Sequence, residues 1–171
     1  MLRLIGALLV IGATGTFGLS SMRRMSRRVR TLRTLITALE TMKSEICDRM
    51  IPLPELIDFL AAETASPVDQ FFLRLREEMG NLGTERFSYI WSEAVVQTSE
   101  LALLEHEAQT LSDLGKSLGR YDIEDQRHVL SYTQRRLEGY LDKAEEARRT
   151  QGKVHAVLGL SVGLFVVLIL L

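Results

Sequence analysis

The sequence contains very little cysteine and proline. Its 171 residues include one cysteine, Cys47, and three prolines. A single cysteine excludes an internal disulfide framework and any metal site with several cysteines, and it fits a reducing compartment. The formal net charge is −1, and so nearly balanced a chain argues against nucleic-acid binding as its main function.

Chemical motifs are also scarce. The chain has no glycine-rich phosphate loop followed by lysine, so we do not expect it to hydrolyse nucleotides. Glu105, His106 and Glu107 are metal-ligating residue types, but neighbours on a helix point in different directions, which favours a solvated face. Cys47 lies beside an apolar stripe, which favours a buried thiol over a nucleophile. We therefore predict no catalytic residue, metal site or cofactor; a metal-dependent membrane enzyme would need inward-facing pairs of acids and histidines.

No stretch alternates between apolar and polar residues with the period of two that marks a strand. Apolar residues recur instead at helical steps of three and four, which predicts an all-α fold, a compact antiparallel helical bundle over residues 25–150. The first stripe consists of Val29, Leu32, Leu35, Ile36, Leu39, Met42, Ile46 and Met50. Pro52 and Pro54 follow it and should end that helix.

Start and stop residues predict the remaining helices of this domain. A short helix should restart within Pro52-Leu53-Pro54-Glu55, with Pro54 in its first turn, and the next should have Ser66 as its N-cap and Pro67 as its first residue. Trp91 lies on the apolar side of a further helix. The last two predicted helices run from Ser99 as N-cap to Gly119, and from Asp122 onward into the C-terminal apolar segment; Gly80 and Gly83 should close the helix that follows Pro67.

The C-terminal segment 154–171 is nearly uncharged and is just long enough to cross the hydrocarbon core of a bilayer as a helix. Arg148, Arg149 and Lys153 precede it and no positive residue follows it. Because cationic flanks tend to stay in the cytoplasm, we place residue 150 inside and the C-terminus outside. A buried C-terminal core helix is the weaker alternative, since so short a chain has little protein to surround a helix that is apolar on all sides.

The N-terminal segment 2–19 is the second apolar run and carries only one charge, Arg3. Six arginines follow it before the first acid, Glu40. Such a block resists translocation and prefers anionic cytoplasmic headgroups, so an uncleaved transmembrane helix is favoured over a cleaved signal peptide. A helix lying in the membrane interface is the third interpretation. Both ends then enter the cell membrane, and the domain between them lies in the cytoplasm.

Two features of these segments are candidates for protein contacts. Gly12 and Gly15 in the first segment, and Gly159 and Gly163 in the second, are small residues that let membrane helices approach closely. Outside the membrane, Asp122, Glu124 and Asp125 lie at the predicted start of the last helix. These acids either serve helix capping and the helix dipole alone, or form an exposed docking point for a basic partner surface.

Several motifs together resemble the stage III sporulation protein AB family of endospore-forming bacteria. They are the opening LRLIGALLVIGAT, Arg30-Thr31-Leu32-Arg33, Glu45-Ile46 followed by Pro52-Leu53-Pro54-Glu55, Trp91, the segment 118–126, and the glycine-bearing end 158–171. The domain of that family is similar to the cytoplasmic helical domain of the type II secretion platform protein, its F component. That platform protein has two such domains, whereas this chain has one.

The resemblance implies a non-enzymatic component of a channel-like complex between mother cell and forespore. The expected partners are a secretion-type ATPase and other membrane subunits of the same complex, with the domain on the mother-cell side; a homo-oligomer is a further possibility. The alternative is a membrane-bound dimeric signalling or coiled-coil adaptor that pairs through its long first and last helices. That adaptor requires an uninterrupted heptad pattern, and Pro52 and Pro54 argue against it.

Overall fold

In the part of the chain that the structure describes, six α-helices and two short 3-10 helices are present. The computed structural model describes the backbone of residues 2–81, 85–118 and 122–170, and the side chains of residues 23–80, 85–118 and 122–150. The α-helices are α1 (Leu2–Cys47), α2 (Leu53–Glu63), α3 (Val68–Glu78), α4 (Phe87–Gln97), α5 (Glu105–Gly115) and α6 (Ile123–Leu170); the 3-10 helices are Met79–Asn81 and Ser99–Leu101. These ranges contain no β-strand, and the predicted all-α class is confirmed.

The two long helices, α1 and α6, pack side by side and give the fold its axis. Contacts between them join residues that ascend along α1 and descend along α6, so the pair is antiparallel. These contacts are Arg33 with Glu145, Lys43 with Gln134, and Asp48 with Arg127. The ends of α1 and α6 that meet at Asp48 and Arg127 therefore lie at the opposite end of the hairpin from the apolar segments.

The apolar stripe predicted for α1 lies in the core of the domain. Its members Val29, Leu32, Leu35, Leu39 and Met42 are all buried. On α6 the buried apolar residues Leu130, Leu137 and Ala144 are spaced by seven, the spacing of a coiled-coil seam. The two helices thus form an antiparallel coiled-coil hairpin within one chain.

The short helices pack on one side of this hairpin, with Trp91 of α4 at the centre of their core. The Trp91 indole is fully buried, and its ring centre lies 5.0 Å from that of Phe71 in an edge-to-face arrangement. The indole Nε1 donates a hydrogen bond of 2.7 Å to the carbonyl oxygen of Leu111 in α5. A buried indole needs such a partner, and this bond fixes α4 against α5. The predicted core position of Trp91 is confirmed.

The end of α1 differs from the prediction. The helix ends at Cys47, and Met50, which was expected to continue the buried stripe, is 70% exposed. Met50 has a φ of 55°, in the left-handed region that an L-residue with a side chain rarely adopts. The chain has therefore left the helix before Met50, and the periodic pattern extends one turn too far.

Two predicted helix starts are also wrong. The helix expected to have Ser66 as its N-cap begins at Val68, and no side chain caps it. The helix expected from Ser99 to Gly119 is divided: a 3-10 turn ends at Leu101, Ala102 takes a φ of 51°, and α5 begins at Glu105 and ends at Gly115. The left-handed Ala102 interrupts the helical hydrogen bonding, although the helical spacing of apolar residues continues across this break. Gly83 and Gly119, the predicted helix ends, lie outside the described residues.

The two predicted transmembrane segments are helical in backbone, since α1 begins at Leu2 and α6 reaches Leu170. Among the residues whose side chains the structure describes, no helix combines the length and the apolar character needed to cross a membrane. Segments 2–19 and 154–171, with Gly12, Gly15, Gly159 and Gly163, lie outside those residues.

Candidate functional site

The end of the hairpin farthest from the apolar segments gathers the acids that the sequence singled out. We call this surface the distal corner. It consists of Asp48 and Met50, which follow α1, and Asp122, Glu124, Asp125 and Arg127, around the start of α6. The two parts meet through Arg127, whose Nη2 lies 2.9 Å from Asp48 Oδ1, and through Cys47, whose Sγ lies 3.8 Å from the carbonyl oxygen of Ile123.

Backbone hydrogen bonds hold the α1 side of the distal corner. The amide of Asp48 donates to the carbonyl of Ser44 at 2.9 Å, and the amide of Ile51 donates to that of Glu45 at 3.0 Å. Between them Met50 keeps its left-handed conformation, which costs an L-residue roughly 1–2 kcal/mol. Backbone strain of this kind concentrates at functional sites. Met50 therefore presents an exposed thioether two residues after Asp48, although the sequence pattern had assigned this side chain to the core.

Asp122 begins α6 as predicted, but with a different hydrogen bond. Its Oδ1 accepts the amide hydrogen of the next residue, Ile123, at 2.8 Å, and its carbonyl accepts that of Gln126 at 3.0 Å. An N-cap side chain more often accepts from the second or third residue of the helix. Asp122, Glu124 and Asp125 are all exposed, and carboxylates there interact favourably with the helix dipole.

Among the residues that the structure describes, cations leave these three acids largely uncompensated. Arg49 pairs with Glu45, and Arg127 pairs with Asp48, whose hydrogen bond raises the pKa of Arg127. Arg127 Nε also lies 4.0 Å from Glu124, but the Glu124 side chain is 80% exposed, so the pair is weak. In its described residues the distal corner is therefore a negative surface that carries one exposed apolar side chain, Met50. Docking through these acids remains a prediction.

Glu107 corrects the expectation that Glu105, His106 and Glu107 form a solvated face. Its side chain is fully buried, and the Arg28 side chain is 14% exposed. Arg28 Nη2 donates to Glu107 Oε1 at 2.6 Å, and its Nε lies 3.1 Å from both carboxylate oxygens. Glu107 Oε2 also accepts the amide hydrogen of Leu104 at 2.8 Å. The burial of Glu107 could not be predicted from local sequence, because its partner Arg28 lies 79 residues away.

The other residues with reactive or metal-binding side chains, His106 and Cys47, pack against neighbours in the fold. His106 packs edge-to-face on Tyr140, with ring centres 4.8 Å apart. Cys47 is buried as predicted, and burial raises the pKa of its thiol, which makes it a poor nucleophile. Within the described side chains, no three histidines, cysteines or acids lie close enough together to hold a metal ion.

Comparison with known proteins gives three consistent matches. The family model described as stage III sporulation protein AB matches residues 3–171. Stage III sporulation protein AB of Bacillus subtilis (strain 168) is 29% identical over 174 residues, which cover 100% of both chains. A solved structure of a stage III sporulation protein AB (SpoIIIAB) superposes with a TM-score of 0.67 at 25% identity, over 72% of this chain and 98% of that one.

Proposed function

Since the chain belongs to the stage III sporulation protein AB family and therefore has a role in sporulation, we propose that it is a non-enzymatic platform of a secretion-like complex. In this proposal the chain is anchored in the cell membrane and couples other membrane subunits to a cytoplasmic ATPase.

The anchoring part of the proposal rests on the two apolar segments and on the antiparallel hairpin. Segments 2–19 and 154–171 belong to helices that run side by side, so both would enter the membrane from one surface. The arginines after the first segment and the basic residues before the second favour a cytoplasmic domain. By family resemblance this is the cytoplasm of the mother cell. A reporter fused at residue 90 should be cytoplasmic and one fused after Leu171 external; export of the first fusion would contradict this orientation.

The observation that carries the docking part is the position of the distal corner. At a rise of 1.5 Å per residue, the end of α1 at Cys47 lies roughly 40 Å from Leu19 along the helix. Asp122, Glu124 and Asp125 are thus presented at the part of the domain that would reach farthest into the cytoplasm. Charge at such a surface mainly sets partner choice and association rate. A basic surface of a secretion-type ATPase is the partner that we propose.

Reversing one exposed charge tests the docking. Glu124→Lys should change the free energy of unfolding by only a few tenths of a kcal/mol, because it reverses the interaction with the helix dipole and otherwise removes only the weak pair with Arg127. It should nevertheless abolish co-purification of the ATPase from membranes of sporulating cells and reduce the number of heat-resistant spores. The matched control is Glu138→Lys, at an exposed position farther along α6, which should leave both measurements unchanged.

The capping-only alternative gives a different pattern. Asp122→Ala should then lower stability by about 1 kcal/mol, while Glu124→Lys would fold, bind the ATPase and support sporulation normally. That last result would remove the docking proposal. Met50→Gly gives an independent check, because it should relieve the left-handed strain and raise stability while weakening binding if the exposed thioether contacts the partner.

The adaptor alternative requires the apolar faces of the long helices to be free for a second chain. In the described residues those faces are occupied within the chain: Leu32 and Leu39 of α1, and Leu130 and Leu137 of α6, are buried. A dimer formed through the same seam would have to open the hairpin first. The packing therefore favours the platform over the coiled-coil adaptor.

A further inference from the structure

The membrane-proximal end of α1 carries a cleft of about 400 Å³ that is lined by cations. We call it the arginine cleft. It is formed by Arg23, Arg24 and Arg27 of α1 and by Ser99 and Ala102 from the turn between α4 and α5. The left-handed Ala102 lets this turn lie against α1. No acid is among the residues that line the arginine cleft; Glu100, next to Ser99, places its Oε2 3.5 Å from the Ser99 hydroxyl.

These three arginines differ from Arg28 and Arg33, which lie farther along α1. Arg28 is neutralised by the buried Glu107, and Arg33 pairs with Glu145. Arg23, Arg24 and Arg27 are exposed and form no ion pair with any residue that the structure describes. By contrast, the concave surface on the neighbouring part of α6 is lined by Asp142, Glu145, Glu146 and Arg149 together with Thr150, so acids outnumber cations there. Of these two surfaces, only the arginine cleft favours an anion.

The position of the arginine cleft along α1 indicates which anion. Arg23 follows the predicted membrane segment 2–19 by four residues, which is about 6 Å along the helix, and Arg27 by eight, which is about 12 Å. The polar headgroup layer on each side of a bilayer is roughly 5–8 Å thick. Arg23 and Arg24 would therefore lie at headgroup depth, and Arg27 can reach the same layer with its long side chain.

We propose that the arginine cleft binds the phosphate of an anionic phospholipid headgroup at the cytoplasmic surface of the membrane. Guanidinium groups match the geometry of phosphate oxygens with two parallel hydrogen bonds. The bound lipid would link α1 to the turn between α4 and α5 and so fix the tilt of the domain over the membrane. This inference rests on the proposed anchoring of segments 2–19 and 154–171.

The test uses the full-length chain in detergent, with native mass spectrometry to count bound lipid. Phosphatidylglycerol, phosphatidylcholine and inorganic phosphate are compared as ligands. The purified chain should retain phosphatidylglycerol at least tenfold more tightly than phosphatidylcholine, and should bind inorganic phosphate far more weakly. The variant Arg23→Gln, Arg24→Gln, Arg27→Gln should lose this preference, with an affinity for phosphatidylglycerol on the order of 100-fold lower. Arg27→Gln alone should lower it roughly fivefold.

The control removes three exposed arginines elsewhere: Arg76→Gln, Arg86→Gln, Arg135→Gln. This variant should keep the preference for phosphatidylglycerol, and circular dichroism should show that both triple variants are folded. Equal retention of the two lipids, an equal loss in the control variant, or binding of inorganic phosphate as tight as that of phosphatidylglycerol would each overturn the proposal. Carbonate extraction of cell membranes tests the proposed anchoring separately. A chain that stays in the membrane but shows no lipid preference would contradict only the proposed lipid binding at the arginine cleft.

Discussion

The indole of Trp91 lies directly against the backbone of Gly115. A β-carbon at position 115 would come within 2.4 Å of two ring atoms, Cδ1 and Cγ. Such a distance is far shorter than any van der Waals contact. Gly115 is the last residue of α5, and its missing side chain makes room for the ring that also donates a hydrogen bond to Leu111 of the same helix.

Gly115→Ala should therefore destabilise the domain although alanine favours helix. The ring is fully buried and has no space to move into, so we expect a loss of roughly 1–3 kcal/mol from overpacking. Gly139→Ala is the matched control, because Gly139 lies inside α6 with nothing within 4 Å of the added β-carbon. It should gain about 0.5–1 kcal/mol. Thermal unfolding of the two variants measures both; equal effects would contradict the packing at Trp91.

Helical periodicity determines which parts of the fold the sequence could predict. Helical spacing correctly predicted the buried stripe from Val29 to Met42 and the burial of Trp91, because a regular helix repeats its faces. It failed at Met50 and Ala102, where one residue in the left-handed region ends the periodicity. Neither residue is a glycine or an asparagine, so composition gave no signal for the turn.

The candidate site was predicted to a similar extent. The acids at the start of α6 could be found because capping depends on local sequence. Asp48, which pairs with Arg127, and the exposed Met50 could not be found, since they join the distal corner only through the antiparallel pairing of α1 with α6. The prediction that Glu107 is solvated failed for the same reason. Its burial depends on Arg28, which is distant in sequence and is brought near only by the complete fold.

Breaking the pair of Arg28 and Glu107 should be costly. Glu107→Ala removes one partner of a buried pair and leaves the Arg28 charge uncompensated, so we expect a loss of about 3–5 kcal/mol, measured by chemical denaturation. Glu105→Ala, at an exposed position two residues earlier, should change stability by no more than about 0.5 kcal/mol. The double variant Arg28→Met, Glu107→Leu should recover most of the loss. If Glu107→Ala is as stable as Glu105→Ala, the buried pair does not exist in solution.

Thr31 on α1 offers a stabilising substitution. Its hydroxyl is fully buried and has no hydrogen-bond partner among the described residues. Thr31→Val keeps the shape and removes an unsatisfied polar group, so the free energy of unfolding should rise by about 1 kcal/mol. Thr98→Val is the matched control, because the buried Thr98 hydroxyl donates to the carbonyl of Ala94 at 2.7 Å. Thr98→Val should lower stability by about 1 kcal/mol; a loss of the same size at Thr31 would reveal a partner for its hydroxyl.

The register of α1 against α6 predicts which glycines of the two apolar segments meet. Arg33 of α1 contacts Glu145 of α6. Five helical turns comprise 18 residues, so five turns toward the predicted membrane lead from Arg33 to Gly15 and from Glu145 to Gly163, each on the same face as its starting residue. If the helices keep this register, Gly15 and Gly163 face each other, and small residues would let the two backbones come close.

Cysteine cross-linking in native membranes tests this register. In a chain with Cys47→Ala, the pair Gly15→Cys, Gly163→Cys should be joined efficiently by a short bis-maleimide, which appears as a mobility shift on denaturing gels. Ala13→Cys with Gly163→Cys is the control, because two residues turn the helix by about 200° and direct the thiol away from α6. Equal cross-linking of both pairs would mean that the helices rotate freely beyond Arg33. In that case the antiparallel seam would end near Arg33, and the glycines would be available to the other subunits that we propose.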